Sequence, residues 1–229
     1  MKDREIDEIL TRTAGAAPDV DPALLDRVAR SMRTSLRPVR PLAPAWVLAG
    51  GLTAICAAVA VGGAARLGFH GIENLSVLER ALIFPALAIL IWLTAAACIG
   101  EMTPGSRRRF APGHLLGAGS LALLAVFAVL FRDYRTERFV SQGVACLTAG
   151  LLHAIPAGAA IWLVLRRGFA VNSVAAGLAA GTLAGLAGVG MLELHCANFE
   201  TFHVMLWHTA VMPISAGAGA LLAWAARRR

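Results

Sequence analysis

The sequence predicts an all-α polytopic membrane protein: a six-helix transmembrane bundle preceded by a short cytoplasmic helical segment. Three observations support this fold class. Hydrophobic residues make up 58% of the 229 residues and charged residues only 15%. The apolar residues form six runs, each long enough to cross a hydrocarbon core of about 30 Å. The runs do not alternate apolar and polar residues, so helices rather than barrel strands are expected to satisfy their backbone in lipid.

The first segment, residues 1–43, is polar, and it precedes the transmembrane domain at 44–229. Asp21 followed by Pro22 is a favourable helix start, with Asp as N-cap and Pro in the first turn. Apolar side chains then recur at helical spacing, and a second short helix is expected over residues 3–10. Because so short a segment cannot bury its own core, the apolar stripe must lie on the membrane surface or bind a cytoplasmic partner. The stripe consists of Leu25, Val28, Met32 and Leu36.

The six spans are predicted at 44–65, 81–99, 113–131, 142–165, 170–192 and 204–226. Lys and Arg accumulate on the cytoplasmic side of membrane proteins. One side of this topology carries 16 of them and the other carries 5. Both termini are therefore predicted to be cytoplasmic. The net charge of +7 follows from these span ends, so direct nucleic-acid binding is not expected.

The fifth span carries Gly177, Gly181 and Gly185 at four-residue intervals. Small residues on one face allow helices in lipid to approach closely. This stripe predicts helix packing and places the fifth helix at the centre of the bundle.

The outer end of the last hairpin concentrates polar side chains. Cys146 opens the fourth span on the same side as Cys196, whereas Cys56 lies in mid-span and Cys98 lies at the cytoplasmic end. Only Cys146 and Cys196 are placed to meet on the oxidising side. Because five residues of an α-helix turn by about 140°, His208 is expected to point away from His203 and into the bundle. Residues that could bind a metal or support such a site are His195, His203, His208, His153 and Glu200.

Three interpretations of this cluster remain open. A metal site would use His195, Cys196 and His203, with Cys146 as a further ligand. A thiol pair could instead sense oxidants or soft metals by losing its reduced form. A fixed structural disulfide is the simplest alternative. Trp207 is interpreted as a membrane-interface anchor.

No pattern indicates an enzyme. The sequence has no nucleophile elbow, P-loop or HExxH motif. Acidic residues are absent from the predicted span centres, which argues against a proton-coupled transporter. We therefore expect no catalytic residue and no resident cofactor, with a transient metal ion at His195, Cys196 and His203 as the alternative.

The C-terminal half resembles the NrsF family of bacterial membrane anti-sigma factors. The resemblance rests on three stretches, "ACLTAGLLHAIPAGAAIWLVLRRG", "AAGLAAGTLAGLAG" and "LELHCANFETFHVMLWHTAV". It implies a bacterial inner-membrane protein that holds an extracytoplasmic-function sigma factor inactive. It further implies that Cys146 and Cys196 respond to heavy-metal or oxidative stress. The alternatives are a metal-binding or transport-related membrane protein and a structural membrane subunit with a fixed disulfide.

Overall fold

A computed structural model of the protein describes residues 7–9, 11–12, 21–35, 42–103, 105, 111–137 and 139–228. The chain divides into two units, residues 1–41 and 42–229. Each unit is described by itself.

The first unit contains helix α1, Pro22–Ser35. The backbone N–H of Ala23 donates to Asp21 Oδ1 at 2.9 Å, so Asp21 starts this helix as predicted. Leu25, Val28 and Met32 are 56%, 47% and 59% exposed. Residues 7–9 and 11–12 are also helical. Leu36 and the rest of the helix predicted at 3–10 lie outside the described residues.

The second unit is helical, and its described residues contain six helices long and apolar enough to cross a membrane, so the predicted fold class is correct. A short helix of five residues, His70–Asn74, lies between the first two of these six long helices. In chain order the helices are α2 (Ala45–Leu67), α3 (His70–Asn74), α4 (Val77–Met102), α5 (Pro112–Leu130), α6 (Phe139–Leu165), α7 (Ser173–His195) and α8 (Thr201–Arg227). Within α8, Val204–His208 forms a π-helical turn.

Two helices begin where polar caps place them rather than where the apolar run starts. Ser76 and Glu79 form a capping box, which starts α4 four residues before the predicted position 81. Asn172 accepts a hydrogen bond from the N–H of Ala175 at 3.1 Å, so α7 starts at Ser173 rather than 170. At its other end α7 continues to His195, beyond the predicted end at 192.

Helix α7 is the central element of the bundle. In its most apolar window 67% of the residues are buried, against 17–33% in the other five long helices. It contacts every other helix of the second unit. The position of α7 agrees with the prediction made from its small residues.

Contacts between loops show that the long helices run up and down. At one end, called the α7–α8 end, the N–H of Thr201 donates to the carbonyl of Asp133 at 2.6 Å. At the opposite end the N–H of Phe169 donates to the carbonyl of Met102 at 3.0 Å. The loops that follow α5 and α7 therefore share one face of the bundle, and those that follow α4 and α6 share the other.

Candidate functional site

The two cysteines predicted to meet lie together at the α7–α8 end. Cys146 lies two turns into α6 and is partly buried, and Cys196 directly follows α7 and is 6% exposed. Their Sγ atoms are 3.4 Å apart, and both are free thiols. A disulfide has an S–S distance of about 2.0 Å, so a movement of little more than 1 Å would join them.

Hydrogen bonding and burial raise the pKa of the Cys196 thiol. The hydrogen bond with Cys146 is the larger cause and burial adds to it, while contacts with His203 and His208 act in the opposite direction. A protonated thiol is a poorer nucleophile than a thiolate. Reaction of Cys196 as a nucleophile therefore requires loss of its proton.

The π-helical turn of α8 brings His203 and His208 to one side of the helix. The expectation that His208 points away from His203 is wrong, because it assumed α-helical geometry throughout. A π turn pairs residues five apart in the chain, and the two imidazole rings lie with their centroids 5.3 Å apart. The Nε2 atom of His203 lies 3.6 Å from the Sγ of Cys196.

Glu193 is a member of the site that the sequence interpretation missed. The predicted fifth span ends at 192, one residue before Glu193, but α7 includes Glu193 and leaves it 1% exposed. His208 Nδ1 donates to Glu193 Oε1 at 2.7 Å, with both side chains buried. An acidic residue within a membrane-spanning helix is a functional candidate by default. That rule would have selected Glu193 had the helix end been placed correctly.

Four potential metal ligands converge at this point. One ligand atom from each lies within 4.8 Å of the others, and the group consists of Cys146, Cys196, His203 and His208. Several buried polar atoms beside them have no hydrogen-bond partner in the described part of the chain. These include His203 Nδ1, His208 Nε2 and Glu193 Oε2. Unpaired buried polar atoms are rare in proteins and call for an explanation such as a bound ion or water.

The other predicted ligands lie outside this group of four. His195 Nδ1 lies 3.0 Å from the carbonyl oxygen of Gly68, and its ring faces His70 at 5.9 Å. His153 Nδ1 lies 2.8 Å from the carbonyl oxygen of Ala149, in its own helix. Glu200 pairs through its backbone with Asp133. The structure therefore replaces His195 with His208 in the set that surrounds Cys196.

Trp207 packs against α6 at the same end and is partly exposed. Its ring lies 5.5 Å from that of Phe139 and fills the space above Gly143, both on α6. Its Nε1 is buried. The ring thus joins α8 to α6, and its role as a membrane-interface anchor stays a prediction.

The glycine stripe of α7 faces α8. A Cβ atom added at Gly185 would lie 2.7 Å from Met212 Cα, and one added at Gly181 would lie 2.8 Å from Ala216 Cα. A Cβ at Gly177 would lie 2.6 Å from that of Ala223. The two helices therefore touch backbone to backbone from the candidate site toward the opposite end of the bundle.

Comparisons with known proteins identify one family. The model of the NrsF family, described as negative regulator of sigma F, matches residues 32–228. The comparison with curated proteins gave no match, and neither did the comparison with solved structures.

Proposed function

Because the chain belongs to the NrsF family of negative regulators of sigma F, we propose that it is a membrane-bound anti-sigma factor that senses stress through Cys146 and Cys196. In this proposal the protein sequesters an extracytoplasmic-function sigma factor at the bacterial inner membrane. Oxidants or heavy metals that reach the cysteine pair cause its release. The proposed activity is binding and release, with no catalytic step.

The observation that carries the proposal is the 3.4 Å contact between the two thiols. Oxidation by hydrogen peroxide would form one S–S bond and break both S–H bonds. The two electrons and two protons would pass to the hydrogen peroxide, which is reduced to two water molecules. No large rearrangement of the helices is needed to start this reaction, so the pair is suited to respond to a chemical signal.

The backbone contact between α7 and α8 supports transmission of the signal. Cys196 lies in the loop between these two helices, and His203 next to it belongs to α8. A bond between Cys196 and Cys146 would pull this loop toward α6. Because α8 rests on α7 along the glycine stripe, its displacement would extend along the bundle. Coupling between two sites needs only about 1–3 kcal/mol.

The first unit supplies the proposed surface for the sigma factor. Leu25, Val28 and Met32 are exposed on α1, and an exposed apolar helix face is a common means of binding a partner protein. Five long helices lie between the start of α2 and Cys196. If each of them crosses the membrane, as proposed, the chain enters α2 from the side opposite the cysteines. The excess of Lys and Arg near the N-terminus favours the cytoplasm for that face.

Co-purification of a sigma factor with the full-length protein tests the binding surface. Leu25→Asp and Val28→Asp each place a charge in the apolar stripe and should reduce the amount of sigma factor recovered. Ala23→Asp is the matched control, because Ala23 is exposed about 160° away from Leu25 around the helix. Equal recovery with the stripe variants and the control would contradict the proposed surface.

Peroxide treatment tests the sensor. Release should be lost in Cys146→Ser and in Cys196→Ser. It should persist in Cys56→Ala and Cys98→Ala, whose buried thiols lie together in a different cluster of the core. Undiminished release from the Cys146→Ser protein would refute sensing by this pair.

A further inference from the structure

We propose that Cys146, Cys196, His203 and His208 form a tetrahedral binding site for a zinc-type cation, Zn²⁺ or its softer homologue Cd²⁺. The inference deepens the proposed function by naming the ligand class of the sensing site, and it rests on that function only for its regulatory meaning. Metal binding itself can be measured on the purified chain, without the sigma factor.

The distances between the side chains match the edges of such a site. With metal–sulfur bonds of about 2.3 Å and metal–nitrogen bonds of about 2.0–2.1 Å, tetrahedral ligands lie about 3.8 Å apart for two sulfurs and about 3.6 Å apart for sulfur and nitrogen. The two sulfurs here are 3.4 Å apart, and Cys196 Sγ is 3.6 Å from His203 Nε2. One ligand atom from each of the four residues lies within 4.8 Å of the other three. Movements of about 1 Å would complete the tetrahedron.

The donor set also balances the charge of the cation. On binding, the two cysteines lose one proton each to solvent, and the two thiolates balance the two positive charges of the ion, with the Glu193 carboxylate as the remaining charge beside the complex. This balance matters because the ligands are buried: Cys196, His203 and His208 are 6%, 0% and 1% exposed. An uncompensated charge at this position would carry a large desolvation cost.

Glu193 supplies outer support to one of the two histidine ligands, His208. Metal-bound histidines usually donate their second ring N–H to a carboxylate or carbonyl, which fixes the tautomer and the ring orientation. Here His208 Nδ1 donates to Glu193 Oε1 at 2.7 Å. Its Nε2 is therefore the nitrogen left for a metal, and this buried atom has no hydrogen-bond partner among the residues that the structure describes.

The π-helical turn is a second, independent observation that supports the proposed metal site. Such turns are rare, and they occur frequently at functional sites because they reposition side chains. Without the turn at Val204–His208, an α-helix would direct His203 and His208 about 140° apart. The local departure from regular geometry is thus what brings both imidazoles to Cys196.

Metal binding and disulfide formation use the same two sulfur atoms, so they exclude each other. A bound cation would protect Cys146 and Cys196 from oxidation. Oxidation of the pair would in turn remove two of the four ligands and release the ion. The same two thiols would therefore respond both to soft metals and to oxidants.

The test uses the full-length protein in detergent, reduced and washed with a chelator. Zn²⁺ is titrated in competition with a chromogenic chelator, and Co²⁺ serves as the spectroscopic probe. We expect one ion per chain, with the visible bands of tetrahedral Co²⁺ and a thiolate-to-cobalt charge-transfer band. No stoichiometric binding, or Co²⁺ binding without the thiolate band, would overturn the proposal.

Variants identify the ligands. Cys146→Ser should retain a folded protein, since Cys146 is only partly buried, should weaken Zn²⁺ binding, and should reduce the thiolate band by about half at saturating Co²⁺. Cys196→Ser should have the same effects, and His208→Gln should weaken binding while the thiolate band is retained. Glu193→Gln should weaken Zn²⁺ binding by about 10–100-fold, the usual effect of removing an outer-shell carboxylate. His195→Gln is the control, and loss of binding there with retention in His208→Gln would overturn the assigned ligand set.

Release of the sigma factor by peroxide is measured on the same preparations. If the chain binds no metal while peroxide still releases the sigma factor, the metal site is refuted and the proposed function stands. If Zn²⁺ binds with the expected variant pattern while no sigma factor is bound or released, the proposed function is refuted and the metal site stands.

Discussion

Substitution of Gly185 by alanine should separate α7 from α8. The added Cβ would lie 2.7 Å from Met212 Cα and 3.1 Å from the carbonyl oxygen of Val211, whereas ordinary contacts begin at 3.4 Å. Both neighbours are backbone atoms, so no side-chain rotation relieves the overlap. Helix α8 must retreat by roughly 1 Å, and overpacking of this kind typically costs about 1–3 kcal/mol.

Gly190→Ala is the matched control on the same helix. A Cβ at Gly190 meets its nearest neighbour, the Cβ of Ala60, at 3.5 Å, which is ordinary van der Waals contact. Alanine is also a better helix former than glycine by about 1 kcal/mol. The control should therefore be as stable as the unsubstituted protein or slightly more stable.

The assay is reversible unfolding in mixed micelles, followed by circular dichroism at increasing denaturing detergent. Gly185→Ala should lower the free energy of unfolding by about 1–3 kcal/mol. Because His203 and His208 belong to α8, it should also weaken Zn²⁺ binding at the proposed site. If Gly185→Ala is as stable as Gly190→Ala, the close packing of these helices is not what stabilises the bundle, and the reasoning fails.

Three further predictions concern the α7–α8 end. Gly143→Ala should displace the ring of Trp207, which covers this glycine, and lower the free energy of unfolding by about 1–3 kcal/mol in the same assay. Gly71→Ala would place a Cβ 2.9 Å from the carbonyl oxygen of Cys196, so it should change the rate of disulfide formation, measured by alkylation after timed oxidation. Ser76→Ala removes the capping box of α4 and should cost about 0.5–2 kcal/mol, with faster amide exchange in the first turn. Unchanged exchange there would show that the cap is dispensable.

The fold class was predictable because hydropathy reports burial in lipid directly. Six apolar runs gave six long helices, and two of the ends that shifted are ones where a polar cap decides. Ser76 begins α4 before the apolar run does, and Asn172 begins α7 after it. Hydropathy carries no information on caps, so the ends moved while the number and type of helices did not.

The candidate site was only partly predictable. The depth of Cys146 and Cys196 followed from topology, and the structure places their sulfurs 3.4 Å apart. The residues that surround Cys196 could not be predicted in the same way, because helical periodicity assumes a regular helix. The π turn rotates His208 toward His203, and the extension of α7 brings Glu193 into the bundle. Both departures are local, and neither leaves a signal in apolar periodicity.

The most direct test of signalling through Cys146 and Cys196 is to measure bound sigma factor against disulfide content. The full-length protein with its sigma factor would be treated with increasing peroxide. Mass spectrometry would give the fraction of chains with a Cys146–Cys196 bond, and pull-down would give the fraction of sigma factor retained. We predict that the retained fraction falls in proportion as the disulfide fraction rises. Full retention of the sigma factor by completely disulfide-bonded protein would contradict the proposed mechanism.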